Sequence, residues 1–229
     1  MSAAGEAPAV VAIDGPAGVG KSAVARRVAR ELGLAYLDTG AMYRALGWKA
    51  LREGVDPHDA EAVAALAAAA CFGLDPQPDG SVAILLDGEQ VEPHIRELGV
   101  SEMASRLAAR PAVRRRLVEL QRELGRTHGA VMEGRDIGTV VFPETPHKFF
   151  LDARPDVRVA RRRDQLHAAG REVSPQEVEE ELLARDRRDR EREHSPLSWD
   201  ESYRHVDTSD LSVDEVVREL VEAIRGARG

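Results

Sequence analysis

The stretch Ile13–Ala29, IDGPAGVGKSAVARRVA, decides the fold. From Gly15 to Ser22 it reads G-P-A-G-V-G-K-S, a match to G-x-x-x-x-G-K-[ST], the pattern of a phosphate-binding loop. The pattern counts only between a strand and a helix, and both neighbours fit. Ala9–Ile13 (AVVAI) is a short apolar run of the kind that forms a buried parallel strand. Ala23–Leu32 carries apolar residues at helical spacing, and Gly33 supplies a stop. In such a loop Gly15, Pro16, Ala17, Gly18, Val19 and Gly20 wrap their backbone N–H groups around anionic oxygens, helped by the positive end of the next helix. Lys21 would reach the β- and γ-phosphates of a bound triphosphate. The Ser22 hydroxyl would complete a Mg2+ shell otherwise made of water and phosphate. The lysines are Lys21, Lys49 and Lys148 in a chain whose basic residues are mostly arginine, which gives the lysine in the motif added weight.

Working outward, the alternation continues. Ala130–Met132, Lys148–Leu151 and Tyr203–Val206 read as further strands. Pro111–His128, Pro155–Ala169, Pro175–Arg192 and Val213–Ile224 read as helices. Strands alternating with helices imply an α/β fold with a parallel sheet covered on both faces. Between about Val55 and Arg110 the rhythm changes. Asp59–Ala70 is helical in pattern, the following "CFGLDPQPDGSVAILLDGEQVE" reads as short strands around a Pro/Asp/Gly turn, and Leu98–Arg110 is helical again. This region is expected to be an inserted α+β subdomain. Met1–Pro8 and Gly226–Gly229 are expected to be mobile ends.

The chain has 229 residues, 43% apolar and 31% charged, an ordinary globular composition with room for one sizeable domain. A formal charge of −8 argues against a nucleic acid polymer as partner, which calls for a basic face. One cysteine, Cys71, allows no intrachain disulfide; in its Ala-rich surroundings it reads as a small buried hydrophobe. The first residues lack the positive start of a secretory signal, and Ala62–Leu74 is too short to span a bilayer. A cytoplasmic protein with no membrane association is expected.

The loop alone does not name the phosphate acceptor. No N-K-x-D, the guanine-reading sequence of switch GTPases, occurs, and "KFFLDA" ends in a lone Asp152 rather than the paired acids of motor ATPases. Three other segments carry candidate chemistry: "LDTGAMYRA" (Leu37–Ala45), "MEGRDIGTVVFP" (Met132–Pro143) and "ARDRRDRERE" (Ala184–Glu193). The first two follow strand-like runs, and loops leaving strand C-termini line the binding crevice of open α/β sheets. The third is a charge run, which ordinarily means a solvated helix face.

Taken in order along nearly the whole chain, IDGPAGVGKS, LDTGAMYR, ASRLAARPAVR, EGRDIGTVVFP, FLDA, RDRRDRER, SPL and DTS resemble the bacterial cytidylate kinases. The resemblance implies a P-loop kinase core, an inserted region at about 55–110 that binds the monophosphate, and an Arg-rich lid at about 156–192. It implies transfer of the γ-phosphoryl group of ATP to CMP or dCMP. A monomer is expected. Thr39 and Arg44 would contact the acceptor phosphate, and Arg135 would lie near both phosphates. Ser105, Arg114 and Asp136 would read cytosine, while Arg185 and Asp189 would hold the sugar hydroxyls. Arg161, Arg162 and Arg192 would close over the transferred group. The polar "SPLSWDESYRHVDTS" stands where relatives carry small apolar residues, which leaves the adenine side unassigned. An anionic phosphate oxygen of CMP needs no strong general base, so catalysis would consist of positioning and positive charge. Two readings stand beside this one: a kinase for UMP, AMP or an alcohol-bearing metabolite, and a regulatory module that binds ATP or hydrolyses it slowly.

Overall fold

A computed structural model describes residues 10–77, 82–95, 97 and 99–227, and divides into two compact units. One is built on Leu34–Ala130, the other on Val11–Gly33 together with Val131–Gly229. The chain opens with β1 (Val10–Asp14), every residue of which is buried. The Gly-rich loop follows and leads into α1 (Lys21–Leu32), which ends at Gly33 in the left-handed conformation.

The first unit begins with β2 (Ala35–Asp38) and α2 (Thr39–Glu53). The sequence reading treats Leu37–Ala45 as a loop; the structure makes most of it helix. The reason is local. Asp38 caps α2, its carboxylate accepting from Ala41 N at 3.0 Å, so that Thr39 and Gly40 start the first turn rather than break the chain. α3 (Ala60–Ala69) is capped by Asp59 and buries Val63, Leu66 and Ala67. β3 (Phe72–Pro76), β4 (Val82–Leu86) and β5 (Glu89–Gln90) form an antiparallel sheet, with Phe72 opposite Leu86 and Leu86 opposite Glu89. The expected turn residues Pro78–Gly80 and the helix start at Leu98 lie outside the described residues. α4 (Val100–Leu107) packs along α2, and α5 (Pro111–His128) packs against α3. Cys71 is exposed, not buried: it stands just before β3, and its backbone rather than its thiol is used.

The second unit continues with β6 (Ala130–Gly134) and a π-helical turn at Ile137–Val141, then β7 (His147–Asp152). α6 (Pro155–Ala168), α7 (Pro175–Glu191), β8 (Arg204–Asp207) and α8 (Val213–Gly226) complete it. Gly226 thus closes a helix, while Met1–Pro8 and residues 228–229 lie outside the described residues. The larger sheet is five-stranded, and its four strands in this unit lie in the order β6-β1-β7-β8. β1 and β7 run parallel with Ile13 opposite Phe149, and β7 and β8 run parallel with Asp152 opposite Asp207. Residues of β1, β6 and β7 are buried almost throughout, the signature of a sheet covered on both faces. α1 and α8 pack together, as do α6 and α7. Capping boxes at Ser174/Glu177 and Ser212/Glu215 start α7 and α8. The expected α/β class with a parallel sheet is borne out.

One polar link ties the first unit's helices to its sheet. Asp87, at a backbone φ of 53°, accepts from Lys49 Nζ at 2.6 Å and from Cys71 N at 2.9 Å. The Lys49 bond and then the Cys71 bond hold the Asp87 carboxyl below its ordinary value of 3.8. A depressed carboxyl pKa means stability present above the unfolded value and lost as pH falls through the folded one. Asp87→Ala is therefore expected to lose about 1–2 kcal/mol near neutral pH. The gap to the parent should shrink below about pH 4. Urea unfolding at the two pH values checks both parts.

Candidate active site

The phosphate-loop candidates all belong to the second unit. Gly15 sits at φ 148°, and a Cβ there would lie 2.1 Å from the Leu151 carbonyl oxygen, so the loop can leave β1 against β7 only as glycine. Gly20 caps α1 in the left-handed conformation with no side-chain cap, which leaves the first N–H groups of the helix to the loop's own concavity. The loop is braced from behind. Thr208 Oγ1 lies 3.1 Å from Val19 O and 3.0 Å from Asp152 O, and Arg158 Nε donates to Ala17 O at 2.7 Å. Ala17 itself packs on the cluster of Leu166, Val178 and Leu182 from α6 and α7.

Lys21 is buried, its ammonium donating to Gly15 O at 2.8 Å and Pro16 O at 2.6 Å. Burial, then the charge of Arg135, hold Lys21 well below the ordinary lysine range, with Glu133 pulling the other way. A phosphate anion beside it would favour the charged ammonium and offset the cost of its burial. Ser22 is exposed in the first turn of α1. Among the described residues no group of three or more His, Cys, Asp or Glu could hold a metal ion by itself. A divalent cation at the Ser22 hydroxyl would thus take most of its ligands from phosphate and water, which fits a hydroxyl and excludes a protein-only cage.

Arg135 and Asp136 follow β6. Arg135 Nε donates to Asp189 Oδ2 at 2.8 Å, and both side chains are largely buried. Burial works against both charges, yet Arg135 and Arg185 hold the Asp189 carboxyl below its ordinary range. Arg192, the C-terminal cap of α7, lies 3.8 Å from Asp136 Oδ1 and 3.9 Å from Asp189 Oδ1, and its Nε donates to Ser195 O. Lys21, Arg135, Asp136, Arg185, Asp189 and Arg192 are therefore brought together. Arg161 also lies against the phosphate loop, donating to Val19 O at 3.4 Å, Thr208 O at 2.7 Å and Thr208 Oγ1 at 3.0 Å, whereas Arg162 pairs with Glu181 at 3.2 Å.

The remaining candidates belong to the first unit. Thr39 is buried at the start of α2, and Arg44 pairs with Asp38 at 2.7 Å. Ser105 is half-buried on α4. Arg114 is buried on α5, with its guanidinium 5.6 Å from the centre of the Tyr43 ring.

Three residues with structural claims on the site escape the sequence reading. Asp14 is wholly buried behind the loop and accepts from Ile137 N, Gly138 N and Tyr203 Oη. Its signal was an acid closing an apolar strand just before the glycines. Arg158 is one of many arginines in its helix, and helical spacing cannot single it out. Tyr203 lies in the polar segment that departs from relatives.

The family described as Cytidylate kinase matches residues 11–226. The chain belongs to the cytidylate kinase family. A cytidylate kinase of Pelotomaculum thermopropionicum is 46% identical over 218 residues, covering 95% of this chain and 96% of that one. One from Symbiobacterium thermophilum is 48% identical over 217 residues, covering 94% and 96%. A bifunctional pantoate ligase/cytidylate kinase of Synechococcus is 48% identical over 218 residues, 94% of this chain but 40% of its own. Among solved structures, an uncharacterized protein from Eubacterium ventriosum shares the fold at a TM-score of 0.52 and 14% identity, over 95% of this chain and 98% of that one. No helix of the described residues is long and apolar enough to cross a membrane.

The Arg158–Asp186 pair, 2.6 Å apart with both side chains 7% exposed, ties α6 and α7 to the loop through Ala17. Removing one member leaves the other's charge buried and unanswered, which costs about 3–5 kcal/mol. Arg158→Met is expected to show that loss in denaturant unfolding, and Arg158→Met with Asp186→Leu to recover most of it.

Proposed function

We propose that the chain transfers the γ-phosphoryl group of ATP to CMP or dCMP, giving ADP and CDP or dCDP, as the names of its relatives imply. The observation that carries the reading is Lys21 buried at the phosphate loop, its ammonium on the Gly15 and Pro16 carbonyls, with the Arg135 guanidinium, held by Asp189, near enough to act on its charge. Such clustered cations are poorly placed for a resting protein and well placed for a polyanion. The acceptor is itself the nucleophile: a phosphate oxygen of the monophosphate, anionic near neutral pH, attacks the γ-phosphorus in line, and the bond to the β-γ bridging oxygen breaks. Lys21 and Arg135 hold the charge that spreads over the transferring group, and Arg192 adds to it from α7. Mg2+ at Ser22 would supply neutralisation of the phosphate oxygens when bound.

Thr39 and Arg44 hold the acceptor phosphate, the latter by a bidentate guanidinium contact suited to that group. Asp136, with Ser105 and Arg114, reads the base: its carboxylate accepts from the exocyclic amino group of cytosine and meets a carbonyl oxygen in uracil. Leaving two acceptors face to face rejects uracil more sharply than an apolar pocket could. Arg185 and Asp189 hold the sugar. The region at about 55–110 serves the monophosphate, and α6 and α7, with Arg161 and Arg162, act as a lid over about 156–192 that excludes water from the transfer. Arg161 already lies against the loop at Val19 and Thr208, and Arg162 would exchange Glu181 for a phosphate. The same reading takes the protein as a cytoplasmic monomer acting on free nucleotides.

A coupled assay of ADP release with ATP, Mg2+ and either CMP, dCMP, UMP, AMP or no acceptor tests this directly. Fast release is expected with the cytidine nucleotides alone, and acceptor-independent release would favour an ATP-hydrolysing switch. In the same assay Asp136→Ala is expected to raise KM for CMP at least tenfold, a loss worth about 1.4 kcal/mol or more, while leaving KM for ATP within about threefold.

A further inference from the structure

Asp14 ends β1 with no exposure to solvent, and a bare buried carboxylate is costly. Its partners explain what it holds. Oδ1 accepts from Ile137 N at 2.9 Å, and Oδ2 accepts from Gly138 N at 2.9 Å and from the Tyr203 hydroxyl at 2.8 Å. The two amides come immediately after Asp136, more than a hundred residues along the chain from Asp14. On its other side the Asp136 carbonyl accepts from Val140 N at 2.9 Å and Val141 N at 3.2 Å in the π-helical turn. The backbone at Asp136 is thus fixed from both sides, by the turn and by Asp14. Room for the arrangement is made at Gly138, where a Cβ would lie 2.6 Å from the Tyr203 hydroxyl.

We infer that Asp14 is a positioning residue for acceptor selection, its carboxylate clamping the Ile137 and Gly138 amides so that Asp136 is held in the orientation that reads the acceptor base. The inference rests on the base-reading role of Asp136 proposed above. A neutral side chain of the same size could not replace it. Three donors converge on its two oxygens, and an amide in their place would offer one acceptor and turn its own N–H groups toward the other donors. Burial, opposed by the two amides and reinforced by the Asp136 charge, pushes the Asp14 carboxyl up to about 6. The charged groups around it are Asp136 beyond the clamped amides and Lys21 on α1. Tyr203 remains a donor, since burial and the Asp14 charge push its phenol up, and Lys148 on β7 lies 5.9 Å from the centre of the Tyr203 ring.

The test compares the full chain with Asp14→Asn and Tyr203→Phe. In the ligand-free parent, the amide proton shifts of Ile137 and Gly138 should titrate together with a midpoint near 6, and Asp14→Asn should abolish that titration. Kinetically, Asp14→Asn should raise KM for CMP and lower the preference for CMP over UMP by at least tenfold each, with KM for ATP within threefold. A merely structural role would move the melting temperature without this split. Tyr203→Phe removes one donor of three and should lower the preference by threefold or more, which keeps the comparison alive if Asp14→Asn does not fold. Flat amide shifts, or a preference for CMP within twofold of the parent in the variants, would overturn the inference. So would KM for ATP and CMP rising together, which would make Asp14 a support of the phosphate loop. A parent without preference for CMP would remove the reading of Asp136 and the selection role with it, while the amide titration would still report separately whether the clamp exists.

Discussion

Charge taken out of water must be answered by opposite charge or by directed N–H and O–H groups, and the second unit is arranged around that requirement. Arg158 and Asp186, Arg135 and Asp189, and Arg192 with Asp136 and Asp189 are all pairs with little exposure. Asp14 is answered instead by two backbone amides and a phenol. Among the described residues Lys21 donates to the loop carbonyls of Gly15 and Pro16, and burial and the Arg135 charge hold it well below the ordinary lysine range against the pull of Glu133. Burying cations beside carboxylates keeps them oriented in the absence of substrate, so that little reorganisation remains when a polyanion arrives.

Membership of the cytidylate kinase family places this arrangement in a chemical context without exhausting it. Fold likeness alone says little, because phosphate-loop cores serve many reactions. What separates a kinase for small acceptors from a switch or a motor lies in the side chains after β6, on α2 and on α7. On the proposed function, guanidinium groups there meet phosphate and carboxylates meet amino and hydroxyl donors, the complement expected for a nucleotide rather than for water as acceptor.

Much of this was legible in the sequence, and the reasons differ by element. β1 and α1 could be read because the loop pattern ties strand, turn and helix to one spacing. α5 begins and ends where expected because Pro111 and Gly129 bracket it. α2 was missed because Asp-Thr-Gly looks like a chain break, while the Asp38 side chain makes it a helix start. The charge run on α7 reads as solvated surface, yet Asp186 and Asp189 continue the buried face begun by Val178 and Leu182. Periodicity of apolar residues cannot show that, since the inward groups are charged and their partners lie just after β6 and on α6. Arg158 and Asp14 were hidden for the same reason: each owes its burial to a partner distant in the chain. Cys71 was misjudged from composition, because an Ala-rich neighbourhood can end at the surface as easily as in a core.

On the proposed function, cations held in place by buried carboxylates meet the phosphates of two nucleotides, and the affinity of a compound in which both nucleotides are joined through one phosphate chain tests that. Titration calorimetry of an adenosine–cytidine oligophosphate should give a Kd at least a hundredfold below that of ATP or CMP alone, because both halves and the bridging phosphates would engage together. An affinity no better than that of the tighter single nucleotide would contradict the account.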